Sequence, residues 1–188
     1  DAMAELVARH PDRFAAFAAS LAMDDMTGAM AELHRAMGEL GAAGVQIFTE
    51  IDGRPIDDAE FEPVFAAMAG YGRPIWMHPA RSAQMSDFPA ESEARFDVWQ
   101  ILGWPYMTSV AMMRLVLTGL FDRHPGIEIV THHLGGIVPY HAERLAVSMQ
   151  RVERQMERSG DGESAGGSNY MRRPPIDQIK MFYGDTAM

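Results

Sequence analysis

Strand and helix patterns alternate along this chain, and the alternation constrains its fold more than any other feature. Five short apolar runs are predicted to be strands, at residues 13–20, 44–48, 73–78, 127–132 and 179–183. Helical patterns separate these runs, at residues 27–40, 57–69 and 138–158 and in the sequence that leads up to residue 123. Strict alternation predicts parallel strands joined by right-handed crossovers. The expected fold class is therefore α/β.

Two architectures share this alternation, an open doubly wound sheet and a closed barrel. No Gly-x-Gly-x-x-Gly segment follows any predicted strand, which argues against the open, nucleotide-binding sheet. Polar side chains instead follow the strand ends, at Thr49 and Glu50, His78, His132 and His133, and Asp185. The active site of a (β/α)8 TIM barrel is built at that edge. Since such a barrel usually needs about 250 residues, the 188 residues predict a single, partial barrel domain.

Composition excludes several kinds of partner. The net charge of −10 argues against nucleic acid, and no apolar run approaches the roughly eighteen residues of a membrane span. Without cysteine, a metal site would need His and carboxylate ligands, and the expected compartment is the cytoplasm. The opening residues read as a helix and not as a signal peptide. Residues 159–175, rich in Gly and Ser and containing two prolines, are predicted to form a mobile loop.

Three histidines at strand ends are candidates for chemistry. His78 ends a buried strand and is either a ligand of a divalent metal or a hydrogen-bonded structural residue. His132 and His133 precede Gly135 and Gly136, which leave room for a ligand beside the rings. Because side chains alternate along a strand, we expect only one of the two rings to face the site. The alternative is that one packs and the other caps a helix.

Arg81, Arg144 and Trp104 are candidates for binding the substrate, and Asp185 is a secondary candidate together with His132. Asp185 is a carboxylate ligand, a base or a helix cap, and Arg144 is most simply a solvated helix residue. Arg81 follows His78 closely and can clamp a carboxylate with two hydrogen bonds. Trp104 either stacks on a planar substrate or packs in the core.

The sequence resembles the amidohydrolase-related family typified by aminocarboxymuconate semialdehyde decarboxylase and γ-resorcylate decarboxylase. The resemblance rests on seven segments in order, His10-Pro-Asp-Arg-Phe14, Gly44-Val-Gln-Ile47, Pro74-Ile-Trp-Met-His-Pro79, Gly103-Trp-Pro-Tyr106, His124-Pro125, Thr131-His-His-Leu-Gly-Gly136 and Phe182-Tyr-Gly-Asp-Thr-Ala187. It implies a metal-dependent TIM barrel of which this chain is roughly strands 3 to 7. It also implies a divalent metal, Zn²⁺ with Mn²⁺ as the alternative.

The resemblance also implies roles for individual residues. His78 is similar to the fifth-strand histidine that ligates the metal, and His133 to the sixth-strand histidine that handles the proton. His132 fills a position that the family does not require to be histidine. Arg144 matches an arginine that reaches across a dimer interface to a substrate carboxylate, which implies a homodimer. Asp185 is similar to a seventh-strand residue that is not the family's metal-binding aspartate.

The sequence departs from the family pattern at two places. The first-strand His-x-His or Glu-x-His and the eighth-strand aspartate are absent. One imidazole cannot hold a catalytic metal alone, so this 188-residue chain by itself is expected to be inactive. In full-length form the expected function is non-oxidative decarboxylation of a small anionic aromatic or unsaturated acid. The alternatives are a hydrolase or hydratase of the same superfamily, and a catalytically inactive fragment or scaffold.

Overall fold

A five-stranded parallel sheet forms the centre of the structure, a computed structural model that describes residues 1–159 and 173–186. In spatial order, its strands are β1 (Ala18–Ser20), β2 (Gly44–Phe48), β5 (Ile75–His78), β6 (Ile129–Thr131) and β7 (Phe182–Gly184). Two further strands, β3 (Glu50–Ile51) and β4 (Arg54–Pro55), form a separate antiparallel hairpin. Every neighbouring pair in the main sheet is parallel. The predicted α/β class is confirmed.

Helices lie between the strands. They are α1 (Ala2–Arg9), α2 (Met26–Gly38), α3 (Glu62–Tyr71), α4 (Val98–Ile101), α5 (Gly103–Leu117), α6 (Leu120–Arg123), α7 (Val138–Ser159) and α8 (Pro175–Ile179). Single 3₁₀ turns cover Ala59–Phe61 and His133–Gly135. None of the helices in the described residues is both long and apolar enough to cross a membrane.

Several element boundaries differ from the prediction. The strand predicted at residues 13–20 is confined to β1, the last three of them. Asp25, and not Thr27, caps α2, because its carboxylate accepts the backbone N–H groups of Thr27 and Gly28, each at 3.1 Å. The helix before β5 runs to Tyr71, two residues beyond the predicted end, and Gly72 caps it in the left-handed conformation with φ of 60°.

Both end residues of the segment predicted as a loop, residues 159–175, lie in helices. Ser159 still belongs to α7, and Pro175 already begins α8. Proline is compatible with the first turn of a helix, where its missing N–H would have no partner, so it starts α8 instead of extending the loop. The prediction of mobility concerns residues 160–172, which lie outside the described part of the chain.

The two faces of the sheet differ in burial, and this difference positions the site. Val45, Ile47, Ile75, Met77 and Ile129 are at most 1% exposed and pack with the surrounding helices in one hydrophobic core. Fully burying one such side chain stabilises the fold by about 1.5–3 kcal/mol. Because side chains alternate along a strand, the residues between these five project from the opposite, partly exposed face. On this face, the last residues of β2 and β5 are Phe48 and His78, and they begin the candidate site.

Candidate active site

His78 lies at the carboxyl end of β5, where it is the register partner of Phe48 on β2. Its Nδ1 atom is 2.7 Å from the backbone oxygen of Pro79. A carbonyl oxygen can only accept, so Nδ1 carries the hydrogen and donates it. The lone pair is therefore on Nε2, the atom that remains for another partner. This is the tautomer in which a histidine ligates a metal through Nε2.

His132 and His133 follow the last residue of β6, and both rings approach His78. The ring centroid of His78 is 5.0 Å from that of His132 and 5.6 Å from that of His133. The expectation that only one of the two would face the site is wrong. Strand alternation has already ended there, because His133 and Leu134 have positive φ angles of 57° and 56°. This left-handed turn brings consecutive rings to the same side.

Asp185, just after β7, holds this turn in place. Its Oδ2 atom is 3.0 Å from His132 Nδ1, and its Oδ1 accepts the backbone N–H of Leu134 at 3.3 Å. Its own backbone N–H donates to the oxygen of Thr131 at 3.1 Å. Asp185 thus orients an imidazole and the backbone beside it, a role that the sequence alone did not distinguish from ligand, base or cap.

Burial sets the charge state of the two consecutive histidines. It lowers the pKa of His132 below the ordinary value; the nearby carboxylate of Asp185 opposes this, and His78 and His133 lower the pKa further. The pKa of His133 is lowered by burial and by His78. Both imidazoles are therefore mostly neutral at pH 7. Their Nε2 atoms are buried and have no hydrogen-bond partner among the described residues.

Trp104 forms a wall of the cluster. Its indole stacks on His133 with centroids 5.1 Å apart and planes inclined by 25°, and it meets His78 edge-on at 5.2 Å. Trp99 packs edge-on against Trp104, with ring centroids 5.3 Å apart and planes inclined by 85°. The indole N–H donates to the backbone oxygen of Arg81 at 2.9 Å, so the ring is fixed by a hydrogen bond as well as by packing.

The guanidinium of Arg81 is directed at its own loop. Its Nη2 donates to the backbone oxygens of Met85 and Ser86 and to Asp87 Oδ1, at 3.2, 3.1 and 3.0 Å. Arg81 and Asp87 are only 18% and 15% exposed, so this is a largely buried ion pair that orders the segment after β5. The clamp on a substrate carboxylate expected of Arg81 stays a prediction.

Arg144 lies apart from the rings, on the exposed surface of α7. It borders a cavity of about 410 Å³ between α5 and α7, whose wall includes Tyr106, Met113 and Leu145. His141 lines the same cavity, but His78, His132 and His133 are not among its lining residues. The expected contact across a dimer interface would use this exposed position, and it also stays a prediction.

The sequence reasoning missed Phe48 as a site residue. Its ring centroid is 6.0 Å from that of His78, in an edge-to-face arrangement. The signal that could have identified it is register, since equal positions at the ends of adjacent parallel strands are neighbours. Thr49, noted only as a polar strand-end residue, is buried and accepts the backbone N–H of Ala80 through Oγ1 at 3.1 Å.

The donor set suits a divalent metal in kind. Nε2 of His78 and the orphaned Nε2 of His132 are imidazole nitrogens, which are ordinary ligands of Zn²⁺ and other divalent transition metals. Within residues 1–159 and 173–186, however, no group of three or more His, Cys, Asp or Glu residues is arranged to hold a metal ion. The described residues thus fit part of a metal site.

A parallel sheet with helices between its strands and a histidine cluster at the carboxyl edge defines the class of β/α-barrel proteins with a strand-end site. The profile of the family described as "Amidohydrolase" matches residues 1–179, and the chain belongs to that family. The resemblance stated from sequence is confirmed, and with it the barrel fold to which this sheet corresponds.

Individual relatives are similar over most of the chain. A γ-resorcylate decarboxylase of Rhodococcus jostii is 35% identical over 155 residues, which cover 74% of this chain and 44% of the relative. A 2-amino-3-carboxymuconate-6-semialdehyde decarboxylase of Dictyostelium discoideum is 28% identical over 145 residues, covering 77% and 39%. This chain also superposes on the crystal structure of 5-carboxyvanillate decarboxylase from Novosphingobium aromaticivorans, which contains manganese and 4-hydroxy-3-methoxy-5-nitrobenzoic acid. The TM-score is 0.72 and the sequence identity 31%, and the superposition covers 83% of this chain and 44% of the decarboxylase. The chain spans less than half the length of each.

Proposed function

We propose that a protein carrying this chain at the length of its relatives is a metal-dependent, non-oxidative decarboxylase of an aromatic or dienoic carboxylic acid. The observation that carries the proposal is the packing of three imidazoles, His78, His132 and His133, against Trp104 at the carboxyl edge of the sheet. Relatives that share the family are decarboxylases of aromatic or unsaturated acids by name, which supports this reaction over others at the same edge.

His78 would hold the metal through Nε2, because its Nδ1 hydrogen is committed to Pro79. When bound, a divalent metal supplies Lewis-acid stabilisation of negative charge on substrate oxygens. The Novosphingobium structure contains manganese, so we propose Mn²⁺ and Zn²⁺ as equal alternatives for the one metal. The expectation that favoured Zn²⁺ has no support of its own beyond ligand type.

His133 would deliver the proton. In decarboxylation the bond between the ring carbon and the carboxyl carbon breaks, its electron pair stays on the ring carbon, and that carbon takes up one proton as carbon dioxide leaves. Burial lowers the pKa of His133, so its neutral form dominates in the free site. A substrate carboxylate beside the ring would favour the imidazolium, which is the form that can donate.

Trp104 would position the planar substrate. A hydrogen bond at Nε1 and the stack on His133 hold its ring in place. A rigid aromatic wall beside the proton donor limits the orientations that a flat acid can take. Arg81 and Arg144 are the proposed carboxylate partners. Arg81 would have to exchange part of its contact with Asp87 for the substrate, whereas Arg144 is exposed.

We propose a second copy of this chain as the partner that covers α7. Tyr140 is 88% exposed and Val147 69%, and Arg144 lies between them in sequence beside an apolar cavity. Exposed aromatic and aliphatic side chains around an arginine are the usual composition of an interface core. Sedimentation that gives a monomer for the longer protein would remove this part of the proposal. The cytoplasm stays the proposed compartment, on the cysteine-free composition alone.

A substrate panel tests the reaction type. The protein at the length of its relatives, loaded with Mn²⁺ or Zn²⁺, would be given hydroxybenzoates, dienoic acids, lactones and amides. We expect release of carbon dioxide from at least one aromatic or dienoic acid, and little from this 188-residue chain alone. Hydrolysis or hydration without any decarboxylation would replace the proposal with the hydrolase alternative, and inactivity on every compound would favour the scaffold.

A further inference from the structure

We propose that His132 is a second imidazole ligand of the divalent metal, beside His78, and that Asp185 is the carboxylate that positions it. The inference rests on the proposed function only in requiring a divalent metal at this site. It adds a ligand that the family resemblance does not supply, since the family needs no histidine at position 132.

The hydrogen bond between His132 and Asp185 fixes the tautomer that a ligand needs. An ionised carboxylate can only accept, so at 3.0 Å from Oδ2 the Nδ1 atom of His132 carries the hydrogen. The lone pair is then on Nε2. His78 reaches the same state by a different route, through the backbone oxygen of Pro79. A carboxylate or carbonyl on the far nitrogen is the usual outer partner of a metal-bound histidine.

Nε2 of His132 is buried, and no described residue satisfies it. An acceptor placed out of contact with water is costly unless a partner reaches it, so this atom needs one. The nearest ring that presents a similar lone pair is His78, whose centroid is 5.0 Å away. Both observations are independent of the relatives.

The ring spacing fits two imidazoles on one ion. With metal–nitrogen bonds of about 2.1 Å, each centroid would lie about 3.2 Å from the ion. Centroids 5.0 Å apart would then subtend about 100° at the ion, which is between the octahedral and tetrahedral angles. The spacing of 6.2 Å between His132 and His133 would require an angle of about 150°, so these two rings suit one ion less well.

His132 and His133 differ in what contacts their rings. His133 stacks nearly parallel on Trp104, which sets it against the wall where a planar substrate would lie. His132 instead has the carboxylate of Asp185 within hydrogen-bond distance of its Nδ1 atom. The geometry thus divides the roles, with His133 as the proton-handling ring and His132 as the ligand.

The experiment uses this 188-residue chain with ¹⁵N-labelled imidazole rings and ¹¹³Cd²⁺ as the only probe. A cadmium–nitrogen bond splits the ¹⁵N signal of the ligating atom, so each ligand is read directly and without any activity measurement. We expect coupling at Nε2 of both His78 and His132. We expect His132→Ala to weaken Cd²⁺ binding at least about 10-fold, and Asp185→Asn to weaken it about 10-fold to 100-fold.

His34→Ala is the matched control, because His34 hydrogen-bonds Tyr71 and makes none of the ring contacts of the site. It should leave Cd²⁺ affinity unchanged. Circular dichroism of each variant separates lost binding from lost folding. If His132→Ala unfolds, the nearly isosteric Asp185→Asn variant still tests whether His132 binds Cd²⁺.

Three results would overturn the inference: coupling at His78 and His133 without His132, a His132→Ala affinity equal to that of the parent chain, or no Cd²⁺ binding at millimolar concentration. Binding through His132 together with a longer protein that fails to decarboxylate would refute the proposed function alone.

Discussion

The indole of Trp104 covers one face of the His133 imidazole, with ring centroids 5.1 Å apart and an angle of 25° between the planes. This contact is a source of the burial that lowers the pKa of His133. A hydrophobic neighbour thus contributes to the burial that favours the neutral form of the residue proposed to move the proton. The relationship can be tested without substrate or metal.

Replacing Trp104 with Leu should raise the pKa of His133. The smaller side chain would admit water to the imidazole, and better solvation favours the charged form. Proton NMR titration of the His133 ring in the metal-free chain measures the change. Trp99→Leu is the control, since Trp99 contacts Trp104 and should produce a smaller shift. An unchanged titration of His133 in the Trp104 variant would show that the stack is not what buries this ring.

Asp185→Asn should lower the pKa of His132. The negative charge of Asp185 raises that pKa against the effect of burial, so removing the charge leaves burial and the neighbouring histidines unopposed. We expect the His132 ring to titrate at a lower pH in the variant than in the parent chain. The same NMR titration measures this change, and a rise in the pKa of His132 would contradict the proposed effect of the Asp185 charge.

Gly136→Ala should destabilise the fold by about 2–5 kcal/mol, the sum of a left-handed backbone and overpacking. Gly136 has a φ of 64°, and an added Cβ would lie 2.3 Å from the backbone oxygen of Pro105 and 2.7 Å from Ser109 Oγ. Urea unfolding measures the loss. Gly41→Ala separates the two costs, because its φ is 69° and no atom lies within 4 Å of the added Cβ. It should lose only about 1–2 kcal/mol; equal losses would exclude the steric contribution.

The Glu62→Gln variant should lose less free energy of unfolding in acid than the parent chain does. Burial raises the pKa of Glu62, but hydrogen bonds from Arg123 and His124 lower it more, so the net pKa lies below 4.5. The unfolded chain then binds more protons as the pH falls, and the stability that Glu62 contributes is present above pH 4.5 and lost through its lowered pKa.

The expected result is a Gln variant that is less stable at pH 7 and that loses less stability than the parent between pH 5 and acid. Urea unfolding across that range measures both. Glu128→Gln changes an exposed carboxylate and should follow the parent curve. If the Glu62 and Glu128 variants behave alike, the contacts of Glu62 with Arg123 and His124 have no stabilising role.

Local sequence was sufficient for the sheet and insufficient for the turn after β6. The run Gly44–Phe48 has the burial alternation that its apolar pattern predicts, because β-strand periodicity depends only on nearby residues. The orientation of His132 depends instead on Asp185, 53 residues further along the chain, and on positive φ angles at non-glycine residues. Neither leaves a periodic signal.

The same distinction holds for the arginines. The bidentate chemistry of Arg81 was readable from its residue type, but its partner Asp87 was not, since a loop without a repeating pattern sets that contact. Arg144 was placed on the correct helix by its spacing from apolar neighbours. Its side chain is exposed, and the sequence of one chain does not identify the molecule that contacts it.

In the proposed reaction, His133 donates the proton to the carbon that loses carbon dioxide. The most direct test of this step is the rate of carbon dioxide release from a hydroxybenzoate by the metal-loaded protein at the length of its relatives, with His133→Asn compared with the parent. His34→Asn is the control, on a surface away from the ring cluster. We expect His133→Asn to lower kcat by about 10²–10⁴-fold, while its metal content and the rate of the His34→Asn protein stay unchanged. A His133→Asn protein that decarboxylates at the parent rate would contradict it.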